Sequence, residues 1–367
     1  MYKRQALLKR ESHDDLLSRL QAQFADVPEI AVAELPAPQQ LVYEAHSASI
    51  QAQTPLSANR KAYARWWTAS FSSLTRGLEA GSPTEESSTD AGIDAASPAD
   101  LDDEDADSWG EHAQGSYQRF PKGARYGTLL HDLLEWQTQQ GWPLLHHHST
   151  PDDTTQSAWQ QLLQRKTRGL GLSESDIMLL LEWLRQIAQC PLPLNSAVPG
   201  VAPLVLHRLT GLSVWPEMEF NFSAAGVASD GMDRLICQHV LPDLPRPALQ
   251  TRELQGMLTG FMDLVCEHDG RYWVVDYKSN WLTAYDSAAL NAAVLDKRYD
   301  VQYVLYLLAL HRLLQSRLPG YDYDTHIGGA VYVFLRGIHS EGAGVHAMRP
   351  PRALIEQLDA AFARGLA

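Results

Sequence analysis

Residues 260–280, GFMDLVCEHDGRYWVVDYKSN, constrain this chain more than any other stretch. They read as two short apolar strands joined at Asp269-Gly270, a dipeptide suited to a type I′ hairpin turn because both of its central positions need positive φ. A two-residue turn sets His268 opposite Arg271. Carried back along the ladder, that register sets Asp263 directly opposite Asp276. Directly opposed side chains lie about 4.5–5.5 Å apart at Cβ, and like charges there destabilise the pair. Strand side chains alternate, so Lys278 shares a face with Asp276 while Tyr277 points the other way. Two carboxylates and an ammonium therefore converge between apolar strands. A divalent cation would relieve the repulsion; a buried Asp263–Lys278 ion pair is the competing use of the same residues.

The rest of the chain is read around this hairpin. The formal net charge is −14, but twelve acidic residues and no Lys or Arg fall between Glu79 and Glu111, leaving about −2 for everything else. Acidity confined to one stretch says little about the folded part. Residues 79–117 are rich in Ser, Asp, Glu, Ala and Pro, which predicts a disordered linker. The lead-in, 1–78, holds one helical pattern over Ser12–Phe24, a proline-punctuated stretch, and Trp66–Leu74 leading into a short helix. It is expected to be the tail of a preceding domain and a tether. The globular pattern occupies 118–367.

Cys190, Cys237 and Cys266 are scattered and form no CxxC pair, which disfavours a disulfide framework, a four-cysteine zinc site or an iron–sulfur cluster. With no apolar run long enough to span a bilayer and no signal-peptide core, a cytoplasmic protein is expected.

Within 118–367 the periodicity predicts helices at Gly127–Gln137, Ser157–Gln164 and Ser175–Gln189, a strand at Trp215–Phe222 with Glu217 and Glu219 on one face, and then the hairpin. A long helix follows at Arg298–Leu314, with Gln302 and Tyr306 four apart on its polar margin. A buried strand at Ile327–Leu335 and an amphipathic helix at Pro350–Leu366 close the chain. The order implies an α/β domain with a mixed central β-sheet flanked by helices. His131 and Glu135, four apart on the first of these helices, stack on one face. His146, His147 and His148 are read as a loop, since three consecutive residues of a regular element cannot converge on one ion.

Hard cations such as Mg²⁺ prefer carboxylate and carbonyl oxygens. Asp263 and Asp276 supply two such ligands, and the peptide carbonyl beside Asp276 a third. Lys278 can orient or deprotonate a water, or neutralise charge on a phosphoryl oxygen. That is a sufficient set for phosphodiester hydrolysis.

Four motifs in order, GTLLH (127–131), GFMDLV (260–265), VVDYKSNW (274–281) and YDVQYVLY (299–306), make the chain resemble the PD-(D/E)xK nuclease superfamily, and within it the RecB-type C-terminal nuclease domains of exodeoxyribonuclease V. The resemblance extends from about Trp66 to the C-terminus. It implies a restriction-endonuclease-like core and a Mg²⁺-dependent exodeoxyribonuclease. The metal ligands it implies are His131, Asp263, Asp276 and the carbonyl of Tyr277; Lys278 is then catalytic, Gln302 and Tyr306 lie near DNA, and Glu135 supports the ligands from one turn away. The implied partners are DNA, RecC-like and RecD-like subunits, the recombinase RecA and a helicase on the same polypeptide. Nothing here matches the GxxxxGK[ST] phosphate loop of such a helicase, so no ATPase is expected and the chain reads as an isolated domain or a fragment. A silent nuclease fold kept for docking is the alternative from another class, and a hydrolase of small phosphate esters, which would need a closed pocket instead of an open groove, is a third.

Overall fold

The computed structural model describes residues 13–25, 27, 30–33, 67–75, 116–143, 153–209 and 211–364. The chain divides into two units, Met1–Arg60 and Lys61–Ala367. In the first, α1 (His13–Gln23) matches the predicted helical pattern. Most of the acidic stretch, up to Gly115, and the three consecutive histidines lie outside the described residues.

The second unit is built on one six-stranded mixed sheet. Its strands are β1 (Trp67–Ala69), β2 (Val214–Ala228), β3 (Glu253–His268), β4 (Arg271–Lys278), β5 (Ile327–Phe334) and β6 (Val345–Met348). The long β3 pairs antiparallel with β2 along nearly its whole length. Its other edge is shared: β1 runs parallel to Gly256–Leu258, and β4 runs antiparallel to Leu264–His268. Beyond β4 come β5, parallel, and β6, antiparallel. The predicted turn is present, with φ of 53° at Asp269 and 71° at Gly270 and His268 opposite Arg271. β1, which the sequence had placed with the lead-in segment, is a strand of this sheet.

Helices cover both faces. One face carries α2 (Phe71–Thr75), α6 (Ser229–His239), α7 (Ser287–Asp296), α8 (Tyr299–Arg317) and α10 (Arg352–Arg364), packed on Leu258, Met262, Val274, Tyr332 and Phe334. The other carries α3 (Ala124–Gln139), α4 (Asp153–Thr167) and α5 (Glu174–Gln189), packed on Leu264, Cys266, Trp273, Val275, Tyr277 and Val333. A one-turn helix α9 (Tyr323–His326) leads into β5. α5 begins with a full capping box, Ser173 accepting from Asp176 N and Asp176 accepting from Ser173 N, which satisfies two otherwise orphaned donors.

The apolar residues of β3 change parity near its middle. Leu254, Leu258 and Met262 face one layer, but Val265 faces that layer too while Leu264 and Cys266 face the other. Paired strand β2 kinks at the same level, where Glu217 takes a left-handed φ of 49°. Such irregularities re-aim side chains where a regular ladder would bury them. Gly260 is needed close by, because a Cβ there would stand 2.7 Å from the Phe220 ring.

One expectation is corrected. α8 was read with a polar margin, yet Tyr299 through His311 are all buried, Gln302 included at 1% exposure. Over that span the helix is enclosed by the sheet below and by α7 and α10, so Gln302 and Tyr306 face protein groups instead of water. Its start is fixed by a buried ionic network. Arg298, left-handed at φ 56°, donates to Asp300 Oδ1 at 3.0 Å, Asp233 Oδ1 at 2.5 Å and the Pro247 carbonyl at 2.7 Å; Arg246 joins Asp300 at 2.8 Å. Burial alone would lower the Arg298 pKa, but the two carboxylates raise it. Removing one member of a buried charge network typically costs about 3–5 kcal/mol, because its partners are left uncompensated. Arg298→Met is therefore expected to lower unfolding free energy by about that amount. Urea denaturation measures it, and an unchanged midpoint would contradict the network's role.

Candidate active site

The site forms where β3 and β4 part. The ladder between them ends at Leu264 and Val275. Asp263 and Asp276 are the next residues on each strand, opposite each other in the extrapolated register, but they do not close another rung. Instead Asp263 Oδ2 accepts the backbone N–H of Tyr277 at 2.8 Å. The carboxylate thus occupies the place of a strand partner, and the strands open around it.

Each flanking layer sends one group into this opening. From α3, whose apolar stripe of Leu130, Leu133 and Leu134 is buried, His131 Nδ1 reaches Asp263 Oδ2 at 3.3 Å. The His131 ring stands edge-on to Tyr277, centroids 6.1 Å apart. From the opposite layer, Gln302 Oε1 on α8 accepts from Lys278 Nζ at 3.0 Å and from Tyr332 OH at 2.7 Å, while Gln302 Nε2 donates to Tyr306 OH at 3.1 Å. Lys278 Nζ lies 2.9 Å from Asp276 Oδ2 and 4.0 Å over the Tyr299 ring. The lysine pairs with Asp276, not Asp263. Asp276 and Lys278 are 3% and 4% exposed.

Arg336 holds the two halves together. This buried side chain donates to the Ser279 carbonyl at 3.0 Å, just beyond Lys278, and to the carbonyls of Tyr117, Phe120 and Pro121 at 3.0, 2.8 and 2.8 Å. It therefore ties the approach to α3 onto the end of β4. Burial without a carboxylate partner pulls its pKa down to about 10.

A third acid joins the row. Glu217, on β2, falls between the pairs Pro216–Leu264 and Met218–Met262, which puts it across from Asp263. Glu217, Asp263 and Asp276 thus lie at one level on three neighbouring strands. The sequence reading noted Glu217 only as one of two acids on a strand face. Pro216 before it was the available signal, since proline marks an irregular edge strand. Tyr332 and Tyr299, which meet Gln302 and Lys278, were given no role from the sequence. Glu135 accepts from Gln139 Nε2 at 2.6 Å and adds negative charge around Glu217.

The electrostatics follow from this crowding. Burial pushes the Asp276 carboxyl up to about 7; Lys278 only partly offsets this, and Asp263 adds to it. Burial also raises Glu217 to about 7, with Asp263 and Glu135 contributing. Asp263 is held below the usual carboxylate range despite burial, through His131 and the Tyr277 N–H. Burial by itself would lower His131, but Asp263 and Asp276 bring it up to about 9.

Among the described residues no three His, Cys, Asp or Glu side chains are already gathered closely enough to hold a metal ion. The groups nevertheless fit a hard divalent cation. They are carboxylate oxygens plus one imidazole, and the buried Asp276 Oδ2 meets Lys278 only as a charge, without an aligned hydrogen-bond donor. Asp276 and Glu217 are also held at raised pKa, by burial first and by the neighbouring Asp263 second, against a partial offset from Lys278 and His131.

Comparison with known proteins agrees with this geometry. Residues 110–367 match the PD-(D/E)XK nuclease superfamily. The chain belongs to that superfamily. It is 38% identical over 253 residues to the RecBCD enzyme subunit RecB of Escherichia coli, covering 67% of this chain and 20% of that protein. The Haemophilus influenzae RecB is 37% identical, covering 66% and 19%, and that of Mycolicibacterium smegmatis 26% identical, covering 80% and 28%. The chain spans about a fifth of the length of the first two. These matches uphold the resemblance to the C-terminal nuclease domain of RecB that the motifs suggested. PD-(D/E)XK nucleases generally use divalent metal ions, and the α/β core with its mixed sheet is the architecture expected of one. Among the described residues no helix is long and apolar enough to cross a membrane.

The raised Glu217 pKa carries a sign. A folded-state value near 7, against an ordinary 4.5, means the folded chain binds the proton more tightly than the unfolded one. Its stabilising contribution is present below pH 4.5 and is lost as pH rises through 7. Glu217→Gln should therefore stabilise the metal-free protein at pH 8 by about 1–2 kcal/mol, allowing for screening at a half-exposed side chain. At pH 4.5 it should change little. Equal urea midpoints for parent and variant at both pH values would contradict the charge crowding.

Proposed function

We propose that this chain is a Mg²⁺-dependent deoxyribonuclease domain that hydrolyses phosphodiester bonds in DNA. The observation that carries the reading is the convergence of His131, Asp263, Asp276 and Lys278 at one strand end, with His131 Nδ1 3.3 Å from Asp263 and Lys278 Nζ 2.9 Å from Asp276. His131, Asp263, Asp276 and the Tyr277 carbonyl would hold the metal, with Glu217 at the margin. When bound, a divalent cation there would draw charge from a phosphodiester oxygen and acidify a water.

The side chains divide the remaining work. Lys278 presents a positive charge at a fixed point, since Gln302, Asp276 and the Tyr299 ring surround its ammonium. It steadies the attacking water and the negative charge that builds on the phosphoryl group. Tyr332 and Tyr306 lock the Gln302 amide, oxygen towards Lys278 and nitrogen towards Tyr306. As buried groups, Gln302 and Tyr306 act on the strand through Lys278. Asp263, charged at neutral pH, holds His131 in place and spans the gap between the strands.

In the setting suggested by the RecB relatives, the domain would digest strands fed by a helicase on the same polypeptide. Exonucleolytic digestion would serve cytoplasmic double-strand-break repair and recombination beside RecC-like and RecD-like subunits, with RecA as recombinase. Residues 118–367 would form the nuclease domain, with 79–117 as a linker and 1–78 as the end of what precedes it. A docking module without catalysis is less favoured, because Asp263, Asp276 and Lys278 are all present and converge.

The test is cleavage of labelled single-stranded DNA in Mg²⁺. The parent should degrade it; Asp276→Ala should abolish degradation, and Lys278→Ala should slow it on the order of 10²–10⁴-fold. EDTA should stop it. Thermal melts identify variants that merely unfold. A folded parent that leaves DNA intact would overturn the nuclease reading in favour of docking.

A further inference from the structure

Immediately beyond Lys278, the chain displays a large aromatic ring on an unusually well-pinned loop. Ser279 is held by Arg336. Tyr285 OH donates to the Asn280 carbonyl at 3.1 Å and accepts from Leu282 N at 3.0 Å, so one hydroxyl fixes the backbone on both sides of Trp281. The Tyr285 ring is itself locked against Gly337, where a Cβ would stand 2.5 Å from it. Trp281 is nevertheless only partly buried.

Over the Trp281 ring, 3.9 Å from its centroid, lies Lys122 Nζ. Lys122 follows Pro121, whose carbonyl Arg336 also holds. Arg119 and Arg125, both exposed, lie on either side of it in the sequence. Among the described residues none of these three cations forms an ion pair; Arg125 donates only to the Gly169 carbonyl, at 3.1 Å. The approach to α3, which Arg336 binds to the end of β4, thus carries three cations without an ion pair among the described residues, and one of them, Lys122, lies over the Trp281 ring.

We infer that Trp281, with Lys122, Arg119 and Arg125, forms a platform that grips single-stranded DNA next to the cleavage site. The inference rests on the nuclease reading and specifies its substrate. An aromatic face with neighbouring cations suits an unpaired base and its phosphates, because stacking accepts any base and the cations track the backbone. A duplex hides its base faces in the stack. A strand seated on Trp281 would pass the end of β4, where Asp276 and Lys278 stand. Pre-organisation of the loop means that little order must be imposed when the strand binds.

The experiment compares the whole chain with Trp281→Ala, Trp281→Phe and Lys122→Gln. Cleavage of single-stranded and duplex DNA in Mg²⁺ gives kcat and KM, and anisotropy with fluorescein-labelled oligothymidylate in EDTA gives affinity. Trp281→Ala should raise KM and Kd for the single strand on the order of 10- to 100-fold, with kcat within about twofold and a smaller effect on duplex. Trp281→Phe should restore most of the loss. Lys122→Gln should reduce the salt slope of binding by about 0.7. An active parent whose KM is untouched by Trp281→Ala, or whose loss is equal on duplex and single strand, overturns the platform and leaves the nuclease reading standing. A lowered melting temperature with reduced kcat and unchanged KM also overturns it, and assigns Trp281 to folding. A parent that cleaves nothing refutes the nuclease reading first, and the platform with it.

Discussion

Like-charged carboxylates in an apolar sheet are the constraint on which this structure depends. Glu217, Asp263 and Asp276 lie at one level on three adjacent strands, and two of them are pushed to a pKa of about 7. Charges so placed are tolerated only with partners or a bound cation. The fold answers by ending the ladder between β3 and β4 just before the pair. It spends one oxygen of Asp263 on a backbone N–H, kinks β2 at Glu217, and brings an imidazole from one layer and an ammonium from the strand itself. Each device is costly for a sheet that has only to be stable. Under the proposed function, together they would make a place for a hard cation beside a phosphodiester.

The supporting shell explains how the groups stay aligned. α8 is fixed at its start by Arg298, Asp300, Asp233 and Arg246, which sets Gln302 one turn further on against Lys278. Arg336 draws the approach to α3 onto the end of β4 through four carbonyls, which sets His131 against Asp263. Catalytic arrangements need such support, because small misplacements of reacting groups cost large factors in rate. Here it comes from buried arginines on both faces of the sheet.

What the sequence disclosed, and what it hid, divides along the range of the interactions. The turn at Asp269-Gly270 and the pairing of His268 with Arg271 depend on local φ preference and strand period, so they were legible; so were α3, α5, α8 and β5, with long apolar patterns. β1, β6, α6 and α7 were not. β1 is three residues long and is a strand only because β3 offers an edge, β6 is four residues long, and α7 has no amphipathic contrast to mark it, with Ala and Leu around its circumference. The polar margin expected for α8 failed because burial there is set by neighbours distant in sequence. Glu217 was given no site role for the same reason: its position across from Asp263 follows from β2 register, and Pro216 marks only an irregular strand. His131, Asp263, Asp276 and Lys278 were nameable because motif and register pointed to the same residues.

Binding of a divalent cation by these acids, as proposed, is tested most directly by calorimetric titration of Mn²⁺ into the chelator-treated protein at pH 7.5. The account predicts a saturable isotherm for the parent that Asp276→Asn and Asp263→Asn abolish and His131→Ala weakens, with all three variants folded. An isotherm that Asp276→Asn leaves unchanged would contradict it.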